Sequence, residues 1–149
     1  IILTHGHGDH TGGLEYFMEK FPEAKTVAGR HERKMLFSRN LSGGKGGITA
    51  DIEVKDCDTI SVGSMELKFI ECPGHTPGGI SILTGNVLFS GDTLFRRSVG
   101  RTDLWGGDWD QLLDTLKNKL FLLPDDTVVL PGHMEETTIG YEKRYNPFV

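Results

Sequence analysis

The sequence lacks the features that mark several large classes of protein. It has only two cysteines, Cys57 and Cys72, and they form no CxxC pair, so a reduced, cytoplasmic setting is expected. No apolar run approaches the roughly 18 residues that a membrane-spanning helix needs. No run of lysine and arginine is longer than the pair Arg96-Arg97, and the net charge is −5. These absences argue against a nucleic acid or a membrane as the partner.

Histidine, by contrast, is concentrated at one place. The chain holds six histidines, and three of them fall within THGHGDHTGG, residues 4–13, beside an aspartate. Three structural histidines so close together would compete for the same partners, whereas imidazole and carboxylate groups are metal ligands. The segment therefore predicts a metal site built from its four polar side chains, which are His5, His7, Asp9 and His10.

The spacing of apolar residues predicts an α/β domain in which strands and helices alternate. Strands are expected at residues 1–4, 25–29, 65–71, 79–89 (two strands around a turn at 85–86) and 127–130. Helices are expected at residues 14–21, 31–39, from 108 onward, and at 138–145. Asp108 should cap its helix in a capping-box arrangement with Gln111. Residues 40–50 hold four glycines and predict a mobile loop at the rim of a site.

Three further candidate ligands lie where predicted strands end. His75 follows KFIECPG, Asp92 follows VLFSG and His133 follows TVVLPG, so each comes after an apolar run and a glycine. Ligands usually bind at strand ends in α/β proteins, and sheet packing brings such ends together. We therefore expect two metal positions, each with room for a shared water or hydroxide. The first uses His5, His7 and His75, the second uses Asp9, His10 and His133, and Asp92 bridges them. His31 is left out and is expected at the surface.

The motifs THGHGDHTGG, PGHTPGG, FSGDTLF and LPGHMEETTIG resemble the successive motifs of the metallo-β-lactamase superfamily. Within it they most resemble the glyoxalase II-like, or hydroxyacylglutathione hydrolase-like, enzymes, and the resemblance covers almost the whole chain. It implies an αββα sandwich with a dinuclear centre at one edge. By position, it carries the metal roles onto the same seven residues, which are His5, His7, Asp9, His10, His75, Asp92 and His133.

The sequence also departs from the pattern of the superfamily. Members usually carry a β-rich segment before the first motif, so residues 1–149 are expected to be one metallo-β-lactamase-like domain that is truncated at its N-terminus. Glyoxalase II enzymes carry a C-terminal helical region that helps to bind glutathione, and this chain stops after YEKRYNPFV. Some β-lactam-cleaving members have a cysteine ligand at the second metal, and no cysteine occupies a ligand position here. This departure disfavours a β-lactamase.

The resemblance implies a metallo-hydrolase with a small-molecule substrate and two divalent ions, zinc, iron or manganese, of which zinc is expected. A hydroxide shared by both ions would attack a carbonyl, with the charges of Asp9 and Asp92 balancing the metals. The motifs contain no additional general acid. That favours a thioester of the acyl-glutathione type over an amide, because a thiolate departs without a proton.

Two alternatives stay open. The stretch GRTD, residues 100–103, also resembles that of the persulfide dioxygenases, which use a single iron, and the chain could instead be an inactive metal-binding fragment. The longer stretch RRSVGRTD, residues 96–103, offers Arg96, Arg97 or Arg101 as groups that could bind an anionic substrate. Surface charges paired with Asp103 or Asp108 would explain the same residues. The sequence does not assign an oligomeric state.

Overall fold

Two β-sheets form the centre of the protein, described here by a computed structural model that covers all of residues 1–149. The strands are, in chain order, β1 (Ile2–Leu3), β2 (Val27–Gly29), β3 (Ile52–Val54), β4 (Thr59–Val62), β5 (Met65–Glu71), β6 (Ile80–Thr84), β7 (Val87–Gly91), β8 (Leu94–Phe95), β9 (Ser98–Val99), β10 (Val128–Pro131) and β11 (Thr137–Thr138). The smaller sheet has the order β1-β2-β3 and is parallel. The larger has the order β11-β10-β7-β6-β5-β4, and β8 and β9 form a separate hairpin.

Six α-helices accompany the sheets. They are α1 (Gly8–Thr11), α2 (Leu14–Lys20), α3 (Arg33–Phe37), α4 (Arg39–Ser42), α5 (Trp109–Asn118) and α6 (Ile139–Tyr145), with a 3₁₀ turn at Leu120–Leu122. None of these helices combines the length and the apolar character that crossing a membrane requires. The expected helices are all present, although α2 and α3 are shorter than the sequence suggested.

The hydrophobic contacts divide the molecule into four layers. Phe69 and Ile80 of the larger sheet pack against Val27 and Val54 of the smaller sheet, so that this cluster fills the space between the sheets. A second cluster joins the other face of the larger sheet to α5, the 3₁₀ turn and α6. A third, smaller cluster joins the outer face of the smaller sheet to α3 through Leu36. The order is therefore helix, sheet, sheet, helix, and the expected αββα sandwich is confirmed.

Helix α5 shows how the local sequence determines one of these elements. The Asp108 carboxylate accepts the Gln111 N–H at 3.0 Å, so the expected N-cap is confirmed. The reciprocal bond of a capping box is absent, because the Gln111 side-chain amide donates to the Asp108 carboxylate at 3.1 Å and the Asp108 N–H donates to the Gly74 carbonyl at 2.8 Å. Leu112 and Leu116 are buried in the core at the expected helical spacing. Trp109, the first residue of the helix, is 40% exposed and packs edge-on against Phe148.

Two expectations differ from the structure. Residues 40–50 are expected to be loop throughout, but α4 occupies the first three of them. This helix begins after Ser38, whose backbone is extended, and ends at Gly43, which adopts a φ of +66°. Helix α2 has the expected apolar spacing but buries no residue, and Phe17 and Phe21 are about half exposed. The third cluster beneath it is small, so only Leu14 makes partial contact with it.

Candidate metal centre

Strand direction brings the candidate ligands to one edge of the sheets. Strands β5 and β7 are both antiparallel to β6, and β10 is parallel to β7, so all three end at the same edge. His75, Asp92 and His133 follow these three ends. The smaller sheet joins this edge where the Ile80 N–H donates to the Thr4 carbonyl at 2.9 Å, which places His5 beside them. His7 immediately precedes α1, and Asp9 and His10 lie within this single-turn helix.

The first cluster contains His5, His7 and His75, whose donor atoms all lie within 4.8 Å of one another. His7 Nδ1 and His75 Nε2 are 2.9 Å apart. His75 Nδ1 lies 2.7 Å from the Arg101 carbonyl, which can only accept, so this nitrogen carries the proton. Its Nε2 lone pair is therefore directed at the other two histidines, the usual arrangement for a metal-binding imidazole.

The second cluster contains Asp9, His10 and His133, again with donor atoms within 4.8 Å of one another. His133 Nε2 lies 3.1 Å from His10 Nε2 and 3.2 Å from Asp9 Oδ2. This cluster is the more accessible of the two, because Asp9 is 60% and His133 49% exposed. His5 and His75 of the first cluster are both buried.

Asp92 lies between the two clusters. Its Oδ2 is 3.6 Å from His75 Nε2 and 3.4 Å from His133 Nε2, and its Oδ1 is 3.4 Å from His10 Nε2. Gly132 makes this position possible, since a Cβ there would overlap Asp92 Oδ1 and would approach His10 Cε1 to 2.8 Å. One carboxylate is therefore within reach of both clusters.

The electrostatics of the clusters favour neutral imidazoles at His5 and His7 and a charged carboxylate at Asp92. Burial, assisted by the neighbouring His10, lowers the pKa of His5 to about 2, and burial also lowers the pKa of His7. The close approach of Asp92 raises the pKa of His10. Burial opposes ionisation of Asp92, but the adjacent His10 and the other histidines outweigh it and hold the pKa of this carboxyl below its ordinary value.

The donor set fits divalent cations. His5 Nε2 is buried, points into the first cluster and has no hydrogen-bond partner, which is costly for a polar atom unless a ligand satisfies it. The seven side chains offer only imidazole nitrogen and carboxylate oxygen, a combination suited to zinc, iron or manganese. Each of the two clusters could therefore hold one cation.

The clusters lie beside an open cavity of about 760 Å³. Ser42 and Gly43 line it at the glycine-rich loop, as expected of a rim, and four apolar side chains line another part of the wall. These four are Phe95, Val99, Leu104 and Met134. Sequence reasoning missed all four. Phe95 and Met134 lie within the motifs that contain Asp92 and His133 and could have been noticed, whereas nothing in the sequence marks Val99 or Leu104.

The arginines expected at the substrate lie in different places. Arg101 lines the cavity, but its guanidinium forms two 2.7 Å hydrogen bonds to Asp103. Arg97 is outside the lining and donates its backbone N–H to Glu142 at 2.8 Å. Arg96 pairs with Glu135 on the surface at 3.1 Å. A role for Arg97 or Arg101 in substrate binding stays a prediction.

His31 is exposed, as expected, and takes no part in either cluster.

Fold and site together define the class, an αββα sandwich with a cavity lined by histidine and aspartate at the edge of its sheets. The family model of the metallo-beta-lactamase superfamily matches residues 1–133. The probable metallo-hydrolase YqgX of Bacillus subtilis is 36% identical over 160 residues, covering 100% of this chain and 74% of the relative. Hydroxyacylglutathione hydrolase GloC of Haemophilus influenzae is 32% identical over 160 residues with the same coverage. The chain belongs to the metallo-β-lactamase superfamily, whose members bind divalent metal ions.

Solved structures agree with this assignment. BLEG-1 B3 metallo-beta-lactamase is 37% identical with a TM-score of 0.93, covering 99% of this chain and 75% of that one. ETHE1 from Myxococcus xanthus is 35% identical with a TM-score of 0.82, covering 98% and 60%. TTHA1623 in a di-iron-bound form is 32% identical with a TM-score of 0.84, covering 100% and 76%. These relatives share the fold, but their names indicate different activities. The comparisons therefore support the superfamily more strongly than they support any one substrate.

Proposed function

We propose that the protein is a dinuclear metal-dependent hydrolase that cleaves a thioester of the acyl-glutathione type. The observation that carries this proposal is the pair of adjoining donor clusters that share one carboxylate beside a cavity. One ion would be held by His5, His7 and His75, the second by Asp9, His10 and His133, and Asp92 would contact both. The similarity to GloC, a hydroxyacylglutathione hydrolase, supports the choice of substrate class.

Two bound divalent ions would supply a water of lowered pKa as the nucleophile and a Lewis acid for the carbonyl oxygen. The chain's own residues prepare the site for this chemistry. Asp9 and Asp92 contribute negative charge that offsets the cations. The Arg101 carbonyl fixes the ring of His75 through its Nδ1 hydrogen. The apolar part of the wall, which includes Phe95 and Met134, offers a surface for the acyl group.

The cavity favours a leaving group that needs no proton. Apart from the seven proposed ligands, the only charged residue that lines it is Arg101, and this guanidinium is engaged by Asp103. An arginine stays protonated in proteins and does not act as an acid near neutral pH. A thiol has a pKa of about 8.5 and can depart as the thiolate, whereas an amine must be protonated. A thioester therefore fits this cavity better than an amide does.

We propose zinc as the metal in both positions. The donor set is equally compatible with iron and manganese, because nitrogen and oxygen ligands alone do not discriminate among them. The similarity to TTHA1623 in a di-iron-bound form makes iron the first alternative to include. Activity is therefore to be measured on metal-free protein reloaded with zinc, iron or manganese separately.

Two other activities each have one observation in their favour. The similarity to BLEG-1, a B3 metallo-beta-lactamase, favours β-lactam hydrolysis. The GRTD stretch, residues 100–103, favours a mononuclear iron persulfide dioxygenase, and Arg101 of this stretch lines the cavity while forming an ion pair with Asp103. Both activities belong in the same set of assays.

The test compares three reactions with the same metal-loaded protein. These are thiol release from an acyl-glutathione thioester, ring opening of a β-lactam, and oxygen uptake with glutathione persulfide. We expect thioester cleavage to have the highest kcat/KM by at least ~10-fold. Strong β-lactam turnover or oxygen uptake without thioesterase activity would reject the proposal. Metal binding without any of the three activities would favour the inactive fragment.

A further inference from the structure

Glu32 is a fully buried carboxylate that the proposed hydrolysis does not use. It lies at the N-terminal end of α3, in a stretch, HERK, that has the composition of an exposed helix. Its side chain is nevertheless 0% exposed. A carboxylate is seldom buried unless the protein satisfies it with hydrogen bonds, so its partners should be informative.

Those partners are the two loops that carry the first cluster. Glu32 Oε1 accepts the Gly6 N–H at 2.8 Å, and Oε2 accepts the Gly78 N–H at 2.8 Å. Gly6 lies between His5 and His7, and Gly78 is three residues after His75. One side chain therefore connects the turn that holds two of the cluster's histidines to the loop that holds the third.

The two loops pack so closely against α3 that neither Gly6 nor Gly78 has room for a side chain. A Cβ at Gly78 would overlap the Glu32 backbone nitrogen, and a Cβ at Gly6 would lie 2.9 Å from Met35 Cγ. Both loops are thus pressed against α3. Burial raises the pKa of Glu32, but backbone N–H groups can only donate, so both oxygens must act as acceptors. An ionised carboxylate meets this requirement.

We propose that Glu32 is a positioning residue for the metal centre, which holds the His5–His7 turn and the His75 loop at the separation that the first cation needs. The inference deepens the proposed function and rests on the proposed metal binding. Glu32 does not line the cavity, so the inference assigns a share of the metal affinity to a residue outside it.

Glu32→Gln tests this inference with little change in size. An amide keeps one acceptor oxygen but presents an NH₂ group to the other backbone N–H, so one of the two links is lost. We expect the affinity for Zn²⁺, measured by competition with a chromophoric chelator, to fall about 10- to 100-fold, as is typical when a hydrogen-bonding support of a metal ligand is removed. The visible absorption spectrum of the Co²⁺-loaded variant should also differ from that of the parent protein.

Glu142→Gln is the matched control. Glu142 is equally buried and accepts the Arg97 N–H at 2.8 Å and the Asn146 side-chain amide at 2.9 Å, but it contacts neither loop of the first cluster. We expect Glu142→Gln and Glu32→Gln both to lose thermal stability in the metal-free state. Glu142→Gln should nevertheless keep its affinity for the first Zn²⁺ within about 2-fold, because the partners of Glu142 lie outside the His5–His7 turn and the His75 loop.

The outcomes separate the two proposals. A parent protein that binds no Zn²⁺ would refute the metal centre itself. A parent protein that binds it, with Glu32→Gln equally tight, would overturn only the role of Glu32, as would an equal loss of affinity in Glu142→Gln. If Glu32→Gln does not fold, Glu32→Asp replaces it, because this side chain keeps both acceptors but is too short to reach both loops. Unchanged affinity in Glu32→Asp would overturn the inference.

Discussion

His5 and His133 have opposite environments, although both follow the end of a strand. His5 is buried, lacks a hydrogen-bond partner at Nε2 and has its pKa lowered to about 2 by burial. His133 is about half exposed and shares its cluster with the still more exposed Asp9. Water competes more easily for a cation held at the exposed cluster, so the second ion should be the more readily lost.

Substitution of His133 makes this difference measurable. His133→Ala removes one of the three donors of the second cluster and leaves the first cluster untouched, so we expect the metal content to fall from two ions to about one per chain. Turnover should fall by at least ~100-fold, because the chemistry of a two-metal site depends on both ions. The measurements are elemental analysis of the purified protein and thioester hydrolysis.

The control for this substitution is His31→Ala, since His31 is exposed and belongs to neither cluster. It should keep two ions and full turnover. One iron per chain in the parent protein and in His133→Ala alike, together with oxygen consumption on a persulfide, would contradict the dinuclear assignment.

The candidate ligands could be predicted from the sequence, but Glu32, which holds the loops of the first cluster, could not. His75, Asp92 and His133 each follow an apolar run and a glycine, and this local pattern indicated that they meet at one sheet edge. Glu32 reaches partners 26 and 46 positions away, and its charged neighbours give no sign of burial. Contacts of that range depend on how α3 packs against two loops, which no local pattern encodes.

At the scale of single elements, α5 and α2 show where periodicity succeeds and where it fails. The apolar face of α5 meets the large core cluster, so Leu112 and Leu116 are buried as expected. Helix α2 has similar spacing but lies over a sheet of only three short strands, and it buries nothing. Periodicity predicted the helix in both cases, but the burial of its apolar face depends on the layer beneath it.

The cap of α5 supports a prediction at this scale. Asp108→Ala removes the acceptor of the Gln111 N–H and leaves that donor without its partner. We expect the free energy of unfolding, from chemical denaturation, to fall by about 1 kcal/mol. Asp108→Ser keeps a capping oxygen and should lose only a small part of that amount. An equal loss in both variants, or none in either, would contradict the role of the cap.

At the scale of the whole molecule, the centre occurs where both sheets expose strand ends at a shared edge. Candidate ligands follow β1 of one sheet and β5, β7 and β10 of the other, so the two sheets must be packed together before these side chains can meet. The resemblance of the motifs predicted this architecture, which composition and periodicity alone would have described only as α/β. The zinc, the cytoplasmic setting and the domain boundaries at 1–149 stay predictions.

The central claim is that two ions act together on a thioester, and a metal titration tests it most directly. Metal-free protein is titrated with Zn²⁺, and in parallel with Fe²⁺, while thiol release from an acyl-glutathione thioester is followed. The account predicts that the rate stays low up to about one equivalent, because the buried first cluster fills first, and then rises to a plateau at two ions per chain. A plateau at one ion per chain, or no thiol release at any metal content, would contradict it.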